Sequence, residues 1–290
     1  MSKQWNVKIR AFTASFIMRR FIVTTFCSFL FYSSYAYAVR PFVTDDARIV
    51  DYGQIETESW IESTRAQGKW NPTPALNAIA STTVNDWLQI LMGTGTGIDS
   101  AGNSGISNPL LSAKVLLKAA DEQGSPGYAI SYTSTFDSGR GSFQEPGKVQ
   151  SLVGMSTYRL IEDRLNIHIN LGLRTDQERG QAANTRPLWG LGFDVESFSP
   201  KTRFVIEMFS GDPLTLNAPR YATQMGVRYL HNDYMQFDLI GGVEPELDRQ
   251  LNRTGAYATT LQFGMRLLFD VFTINGKPGN PNGSKGLFYQ

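Results

Sequence analysis

The sequence has one cysteine among its 290 residues, Cys27, and this residue lies within the N-terminal 38 residues. These 38 residues carry five basic side chains, no acid, an apolar stretch from Phe21 to Tyr32 and the triplet Ala36-Tyr37-Ala38. Such a pattern is typical of a secretory signal peptide with an A-x-A cleavage site. Cleavage after Ala38 would leave no thiol and hence no disulfide. An exported chain without disulfides can be held together by a closed sheet in which every strand is paired.

The mature chain also lacks an excess of positive charge. Removing the five leader cations from the 27 Lys and Arg leaves 22 against 26 Asp and Glu, a net charge of −4. This balance predicts no nucleic-acid partner. A membrane-spanning helix requires about 20 apolar residues, and no such run follows the leader. The rival interpretation of the leader is an uncleaved membrane anchor, but its apolar run is too short to span a bilayer. If the mature chain crosses a membrane, it crosses with strands.

Motifs of common enzymes are missing as well. The sequence has no Gly-x-Ser-x-Gly and no His-Glu-x-x-His. The glycine-rich stretch from Gly93 to Gly97 lacks the lysine of a phosphate-binding loop and predicts the root of a flexible loop. We therefore expect no enzymatic activity, no cofactor and no bound metal. The one enzymatic alternative is an outer-membrane hydrolase that would use His168 with a Ser or an Asp.

What the sequence does contain is strict alternation of apolar and polar residues. From Leu165 to Arg174 every odd position is Leu or Ile, and every even position is Asn, His, Gly or Arg. A period of two predicts a β-strand whose two faces meet different environments. No segment of comparable length has helical periodicity. Twelve alternating segments can be marked, at 54–63, 73–83, 86–94, 109–119, 127–136, 149–160, 165–174, 187–198, 202–210, 220–230, 234–242 and 256–269.

The connections between these segments alternate between five short turns and six longer loops rich in Gly, Ser, Asn and Pro. Both ends of the chain fall on the side of the short turns. This arrangement predicts an all-β fold, a transmembrane antiparallel up-and-down β-barrel of about 12 strands with short periplasmic turns and longer extracellular loops. The predicted organisation is a signal peptide at 1–38, a periplasmic N-terminal segment at 39–53, the barrel at 54–272 and a tail at 273–290 whose composition predicts disorder.

Aromatic residues indicate which face of the strands points outward. Tyr128 and Phe136 share a parity, as do Tyr221 and Tyr229, and the members of each pair are eight residues apart. At the usual strand tilt this spacing separates the rings by about 20 Å along the barrel axis, which suits two aromatic girdles around a lipid band. The rival interpretation is a set of aromatics scattered in a β-sandwich core. The girdles favour an outward apolar face in contact with outer-membrane lipid.

The opposite parity then faces the lumen and carries most of the charge. Placed on the lipid side, an Arg or Lys would cost about 2–4 kcal/mol at the midplane. Seven acids balance seven bases, which suits either a mutually satisfied polar core or a constriction that selects solutes by charge and size. Trp87 shares this parity, so a lumen able to bind planar or hydrophobic solutes is a further interpretation. The candidate lumen-lining residues are Glu56, Glu58, Trp60, Glu62, Lys114, Lys118, Arg159, His168, Arg174, Asp194, Glu196, Arg203, Glu207, Arg228, Asp238 and Arg266.

The start of the predicted mature chain carries a family resemblance. The octet Arg-Pro-Phe-Val-Thr-Asp-Asp-Ala at 40–47 is followed by Gly53 and then by Ile55, Glu56, Glu58 and Trp60. It resembles the opening of a family of bacterial outer-membrane proteins named for the meta-pathway of phenol degradation. The stretches 157–160 and 225–229 are similar to that family too. The resemblance implies a porin-like barrel and transfers no catalytic residue and no substrate.

We expect the octet to be exposed beside the periplasmic rim, with Asp45 and Asp46 free to cap a turn or to pair with a base. A plug or a partner-docking role for it is a hypothesis based on its polarity and its place before the first strand. The sequence as a whole predicts a Gram-negative outer-membrane channel or transporter-like barrel for small solutes, including hydrophobic or aromatic compounds. The alternative is a non-conducting structural or adhesion barrel whose long loops face outward.

Overall fold

The computed structural model describes residues 42–65, 73–99, 101–121, 123–247, 253–271, 273–274 and 277–278. The predicted leader and its cleavage site lie outside these residues. The strands are β1 (Gln54–Arg65), β2 (Thr73–Asn85), β3 (Leu88–Ile98), β4 (Ser104–Ile106), β5 (Leu110–Lys118), β6 (Gly127–Thr135), β7 (Arg140–Gly141), β8 (Gly147–Leu160), β9 (Leu165–Glu178), β10 (Asn184–Ser199), β11 (Thr202–Phe209), β12 (Ala222–Asn232), β13 (Met235–Leu247), β14 (Arg253–Asp270), β15 (Thr273–Ile274) and β16 (Lys277–Pro278).

Twelve long strands form one closed ring. Each pairs antiparallel with the next long strand along the chain, and β1 pairs with β14 over its full length, from Gln54 opposite Asp270 to Arg65 opposite Thr259. This closure leaves the long strands without an unpaired edge. The short strands β4 and β7 extend two of the loops, and β15 pairs only with β16. The prediction of a 12-stranded antiparallel up-and-down barrel is confirmed.

The two faces of the barrel wall have opposite chemistry, as the alternation predicts. On β9, Leu171 and Leu173 are 64% and 55% exposed, whereas Asn170 is 3% exposed and Arg174 is completely buried. Tyr128, Phe136 and Tyr229 also lie on the outer surface. The largest fully buried side chains include Arg174, Arg266, Gln236 and Glu207. The outside is therefore apolar and the inside polar, the reverse of a β-sandwich core.

Three details differ from or extend the sequence-based expectation. The second strand is complete from Thr73 to Asn85, although its small polar residues also suit a loop. Trp87 was expected inside, but it lies in the short turn before β3 with 52% of its surface exposed. Most of the tail that is predicted to be disordered, at 273–290, lies outside the described residues. The four tail residues that the structure does describe form the β15–β16 pair. In the part of the chain that the structure describes, no helix is long and apolar enough to cross a membrane.

Candidate functional site

The residues that precede the first strand lie inside the barrel. We call residues 42–53 the N-terminal segment. Phe42, Ala47 and Val50 in this segment are at most 7% exposed. The expectation of an exposed segment at the rim is therefore wrong. The reason is physical: the polar wall supplies hydrogen-bond partners for a backbone that belongs to no strand, and such partners are required when a backbone is buried.

Glu207 holds the start of the segment. Its two carboxylate oxygens accept hydrogen bonds from the backbone N–H groups of Val43 at 2.8 Å and Thr44 at 2.6 Å. Gln224 donates a further hydrogen bond to the same carboxylate. Glu207 is only 1% exposed, so these bonds replace its hydration. At this point Gly190 allows a close approach, because a Cβ atom there would lie 2.8 Å from Thr44 Oγ1.

Asp45 is held through its backbone and its side chain. Its N–H donates to Asn170 Oδ1 and its C=O accepts from Asn170 Nδ2, both at 2.8 Å. Its carboxylate lies 3.0 Å from Lys114 Nζ, and the Asp46 carboxylate lies 3.5 Å from the same nitrogen. Lys114 is 6% exposed. The expected pairing of these acids with a base is present, but the base lies in the lumen rather than at the rim.

The remainder of the segment crosses the lumen toward β3. The Ala47 N–H donates to Thr157 Oγ1 at 2.8 Å, and the Val50 N–H donates to Gln89 Oε1 at 2.7 Å. Arg48 lies 3.5 Å from Glu56, which also pairs with Arg266. The segment is thus attached by side-chain contacts to strands on several sides of the barrel.

A network of buried ion pairs surrounds the start of the segment. Arg228 contacts Asp238 through Nε at 2.9 Å and Asp194 through Nη1 at 3.1 Å. Arg203 pairs with Asp194 as well. The Arg228 guanidinium lies 4.9 Å from the centre of the Phe42 ring, within range of a cation–π contact. The network ties four strands together, β10 to β13, and also contacts the N-terminal segment.

At the other end of the barrel, the connection between β11 and β12 extends into the lumen, where its Leu214 packs against Trp60, Ile79 and Leu110. We call residues 211–219 the outer loop. Arg174 and Arg186 both pair with Asp176, and both donate to backbone carbonyls of the loop. The Asn217 N–H in turn donates to Asp176 at 3.0 Å. Arg174 donates to the backbone carbonyls of Asp212 and Thr215. Arg186 donates to those of Ala218 at 2.6 Å and Pro219 at 3.4 Å.

Glu145, in the connection before β8, also holds the outer loop by accepting the Leu216 N–H at 2.8 Å. Burial raises the pKa of the Glu145 carboxyl to about 7; Asp212 and Asp176 add to the rise, whereas the Leu216 N–H and Arg174 oppose it. Release of the loop would hydrate this carboxyl and lower its pKa toward the ordinary value of 4.5. The docked loop therefore binds the proton more tightly, and docking is favoured at low pH and weakens as the pH rises through about 7.

We expect amide hydrogen exchange in the outer loop to become faster, relative to the intrinsic rate, between about pH 5 and about pH 8. In Glu145→Gln the oxygen that accepts the Leu216 N–H remains but the titration is lost, so protection should stay high across this range. Mass-spectrometric exchange of the peptide that covers 211–219 measures the effect. An unchanged pH dependence in Glu145→Gln would assign the titration to another group.

A small cavity remains between the N-terminal segment and the outer loop. Its volume is about 70 Å³, and it is bordered by Val43, Thr44, Lys114, Asn170 and Leu214 among others. This polar-edged space has room for water molecules. The N-terminal segment and the outer loop thus both occupy the lumen, one from each end of the barrel.

Most of the predicted lumen residues lie in this buried interior, and a few do not. The buried ones are Glu56, Glu58, Trp60, Lys114, Arg174, Asp194, Arg203, Glu207, Arg228, Asp238 and Arg266. Glu62, Arg159, His168 and Glu196 are half-buried. Lys118 is exposed, because the pairing register shifts between Leu116 and Lys118 and its ammonium reaches Ser125 in the short turn. Lys118 is thus no lumen residue in this structure.

The hydrogen-bonding neighbour of His168 is the hydroxyl of Thr157, whereas the hydrolase interpretation expects a Ser or an Asp. The His168 Nδ1 lies 3.0 Å from Thr157 Oγ1, and that same hydroxyl oxygen accepts the Ala47 N–H. His168 thus contacts the hydroxyl that holds Ala47 of the N-terminal segment. No group of three His, Cys, Asp or Glu side chains within the described ranges could hold a metal ion.

Several residues of the site were missed at the sequence level. Asp176 has the lumen parity of Arg174, and Arg186 has that of Asp194, but the predicted strands at 165–174 and 187–198 do not include these two positions. Extending the parity by one pair of residues on each strand would have found both. Glu145 and the outer loop carry no periodic signal, so no pattern in the sequence points to them.

Comparisons with known proteins give a family and a set of structural neighbours. A family model described as "Uncharacterised conserved protein UCP029691" matches residues 29–254. No curated protein matches this chain. The COG4313 outer membrane channel from Pseudomonas putida F1 is 12% identical, with 80% of this chain and 100% of that chain covered and a TM-score of 0.55. The NanC porin is 12% identical, with 73% and 98% covered and a TM-score of 0.49. The likeness to the COG4313 channel shows a shared barrel fold.

Proposed function

The chain belongs to the family described as Uncharacterised conserved protein UCP029691, and we propose that it is an outer-membrane channel for small solutes that its own N-terminal segment keeps closed. In this proposal the barrel resides in the outer membrane of a Gram-negative bacterium after removal of the leader. The apolar outer face supports membrane embedding, and the polar inner face supports an aqueous path.

One observation carries the proposal: the N-terminal segment fills the lumen without pairing as a strand. It is held by side chains such as Glu207, Asn170 and Lys114. Its departure would therefore break side-chain contacts and leave every strand pair of the wall intact. A structural or adhesion barrel needs no such removable element. The buried ion pairs around Arg228 are compatible with the structural or adhesion barrel too, because they would stabilise a permanently closed barrel as well.

The positions of two tryptophans, Trp60 and Trp87, give little support to passage of hydrophobic or aromatic solutes. Trp87 is exposed in a turn, and Trp60 packs with Ile79 and Leu110 in the wall of the lumen. The resemblance to the phenol meta-pathway family remains a prediction, since the matching family model has a different description. The charged interior supports polar solutes better, because an apolar solute would gain little from it and would displace its hydration.

Conductance across a planar bilayer tests the channel. We expect the mature protein to be closed most of the time and the variant lacking residues 40–47 to be open at least about tenfold more of the time, because several buried hydrogen bonds hold the closed state. Migration on a denaturing gel before and after boiling checks that both barrels are folded. A folded deletion variant that never conducts would contradict the channel and favour the structural barrel.

A further inference from the structure

The N-terminal segment occupies the lumen in the manner of a bound ligand. At Asp45 three polar groups each meet a group of the barrel wall: the N–H and C=O meet the Asn170 carboxamide, and the carboxylate meets Lys114. In the two residues before Asp45, the N–H groups of Val43 and Thr44 donate to the Glu207 carboxylate. We call Lys114, Asn170 and Glu207 the cradle. It recognises an extended backbone together with an acidic side chain.

Withdrawal of the segment would leave the cradle without these partners. Within the described residues, the carboxylates that pair with Lys114 are those of Asp45 and Asp46, and both belong to the segment. Lys114 and Asn170 are 6% and 3% exposed, so both lie well inside the barrel. Opening would give them water in place of these partners. A solute that offers the same groups would replace this water, bind the opened channel and stabilise it.

We propose that the cradle is a binding site for short acidic peptides, and that Asp45 occupies it while the channel is closed. This inference rests on the proposed channel function and names its solute class. A matching solute carries a carboxylate for Lys114, an amide for Asn170 and N–H donors for Glu207. A neutral sugar or an aromatic hydrocarbon lacks the carboxylate and leaves Lys114 unpaired.

The cradle also has room for a peptide backbone. A Cβ atom at Gly190 would lie 2.8 Å from Thr44 Oγ1, and one at Gly192 would lie 3.4 Å from Thr44 Cβ. The two glycines thus form a flat patch of wall on which an extended chain can lie close. Beside it, Leu188 and Leu214 give the remaining cavity an apolar side. The site therefore combines a charged end, an amide clamp and a surface free of side chains.

The test uses the full mature chain with Asp45→Asn and Asp46→Asn, which weakens the internal occupant. Two probes are compared by isothermal titration calorimetry in detergent: acetyl-Val-Thr-Asp-Asp-Ala-amide, which copies residues 43–47, and its analogue with both acids changed to Asn. We expect the acidic peptide to bind at least about tenfold more tightly, since its carboxylate makes a charge-assisted contact with the Lys114 ammonium that a neutral carboxamide replaces only weakly.

Lysine variants in the same background assign the binding to the cradle. Lys114→Gln should abolish the preference for the acidic peptide, and Lys114→Arg should retain most of it. Lys118→Gln is the matched control, because Lys118 lies on the same strand but is exposed at the turn. Equal binding of the two peptides, or an equal loss of preference in the two Gln variants, would overturn the inference.

The outcomes also separate this inference from the channel itself. If the folded barrel discriminates between the peptides but never conducts, the binding site is supported and the channel function is contradicted. If the barrel conducts but binds both peptides equally, the channel function is supported and the acidic-peptide site is contradicted.

Discussion

Replacement of Gly190 by leucine is expected to force the channel open. Even a Cβ atom at this position would lie 2.8 Å from Thr44 Oγ1, and the rest of a leucine would occupy the place of the segment. Displacement of Thr44 breaks the hydrogen bonds from Val43 and Thr44 to Glu207. Two hydrogen bonds to a charged group contribute about 3 kcal/mol or more, so the ratio of open to closed channels should rise by at least about a hundredfold.

Single-channel recording measures this ratio directly. Gly241→Leu is the matched control, because Gly241 lies on the outer face and a Cβ atom there would have no neighbour within 4 Å. We expect Gly241→Leu to behave like the unaltered protein. If the folded Gly190→Leu barrel is as closed as the control, the N-terminal segment is not what closes the lumen.

The second large effect is expected on stability. Arg228→Met removes the guanidinium that bridges Asp238 and Asp194, and leaves buried carboxylates with fewer partners. Loss of one partner of a buried ion pair typically costs about 3–5 kcal/mol, and the free energy of unfolding of the barrel should fall by this amount. Urea unfolding in lipid vesicles, followed by tryptophan fluorescence, gives the measurement.

Two further variants test the cause of that loss. Adding Asp238→Asn to Arg228→Met replaces one of the carboxylates that lost its arginine partner by a neutral amide, and should recover part of the stability. Arg179→Met is the control, because Arg179 pairs with Asp137 at 2.7 Å but its side chain is 63% exposed. An exposed pair contributes at most about 1 kcal/mol. Equal losses in Arg228→Met and Arg179→Met would show that the buried network contributes no special stability.

The fold could be predicted from the sequence because its determinants are local. In a strand the direction of a side chain follows from its parity alone, so Leu171 and Arg174 could be placed on opposite faces without any knowledge of their neighbours. The lengths of the connections then gave the hairpin order. Where a local irregularity intervenes, this reasoning fails: the register shift next to Lys118 and the turn at Trp87 both turned an expected lumen residue outward.

The occupation of the lumen by the N-terminal segment could not be predicted in this way. Val43 and Thr44 contact Glu207 across more than 160 residues of sequence, and Asp45 contacts Asn170 across 125. These partners become neighbours only when the ring closes between β1 and β14 and brings distant strands around one interior. The outer loop likewise has no periodicity, and its position depends on Arg174 and Arg186 reaching it from the wall.

The sequence by itself determined the strands, their order and which face of each is polar, because backbone geometry translates every apolar–polar alternation into two faces. The tertiary structure decided what fills the polar interior and which charges pair there, because pairing depends on the register of strands and on the closure of the barrel. The octet that opens the predicted mature chain shows the difference. Its polarity was visible in the sequence, but only the closed ring supplies Glu207, Asn170 and Lys114 around residues 43–46 and holds it inside.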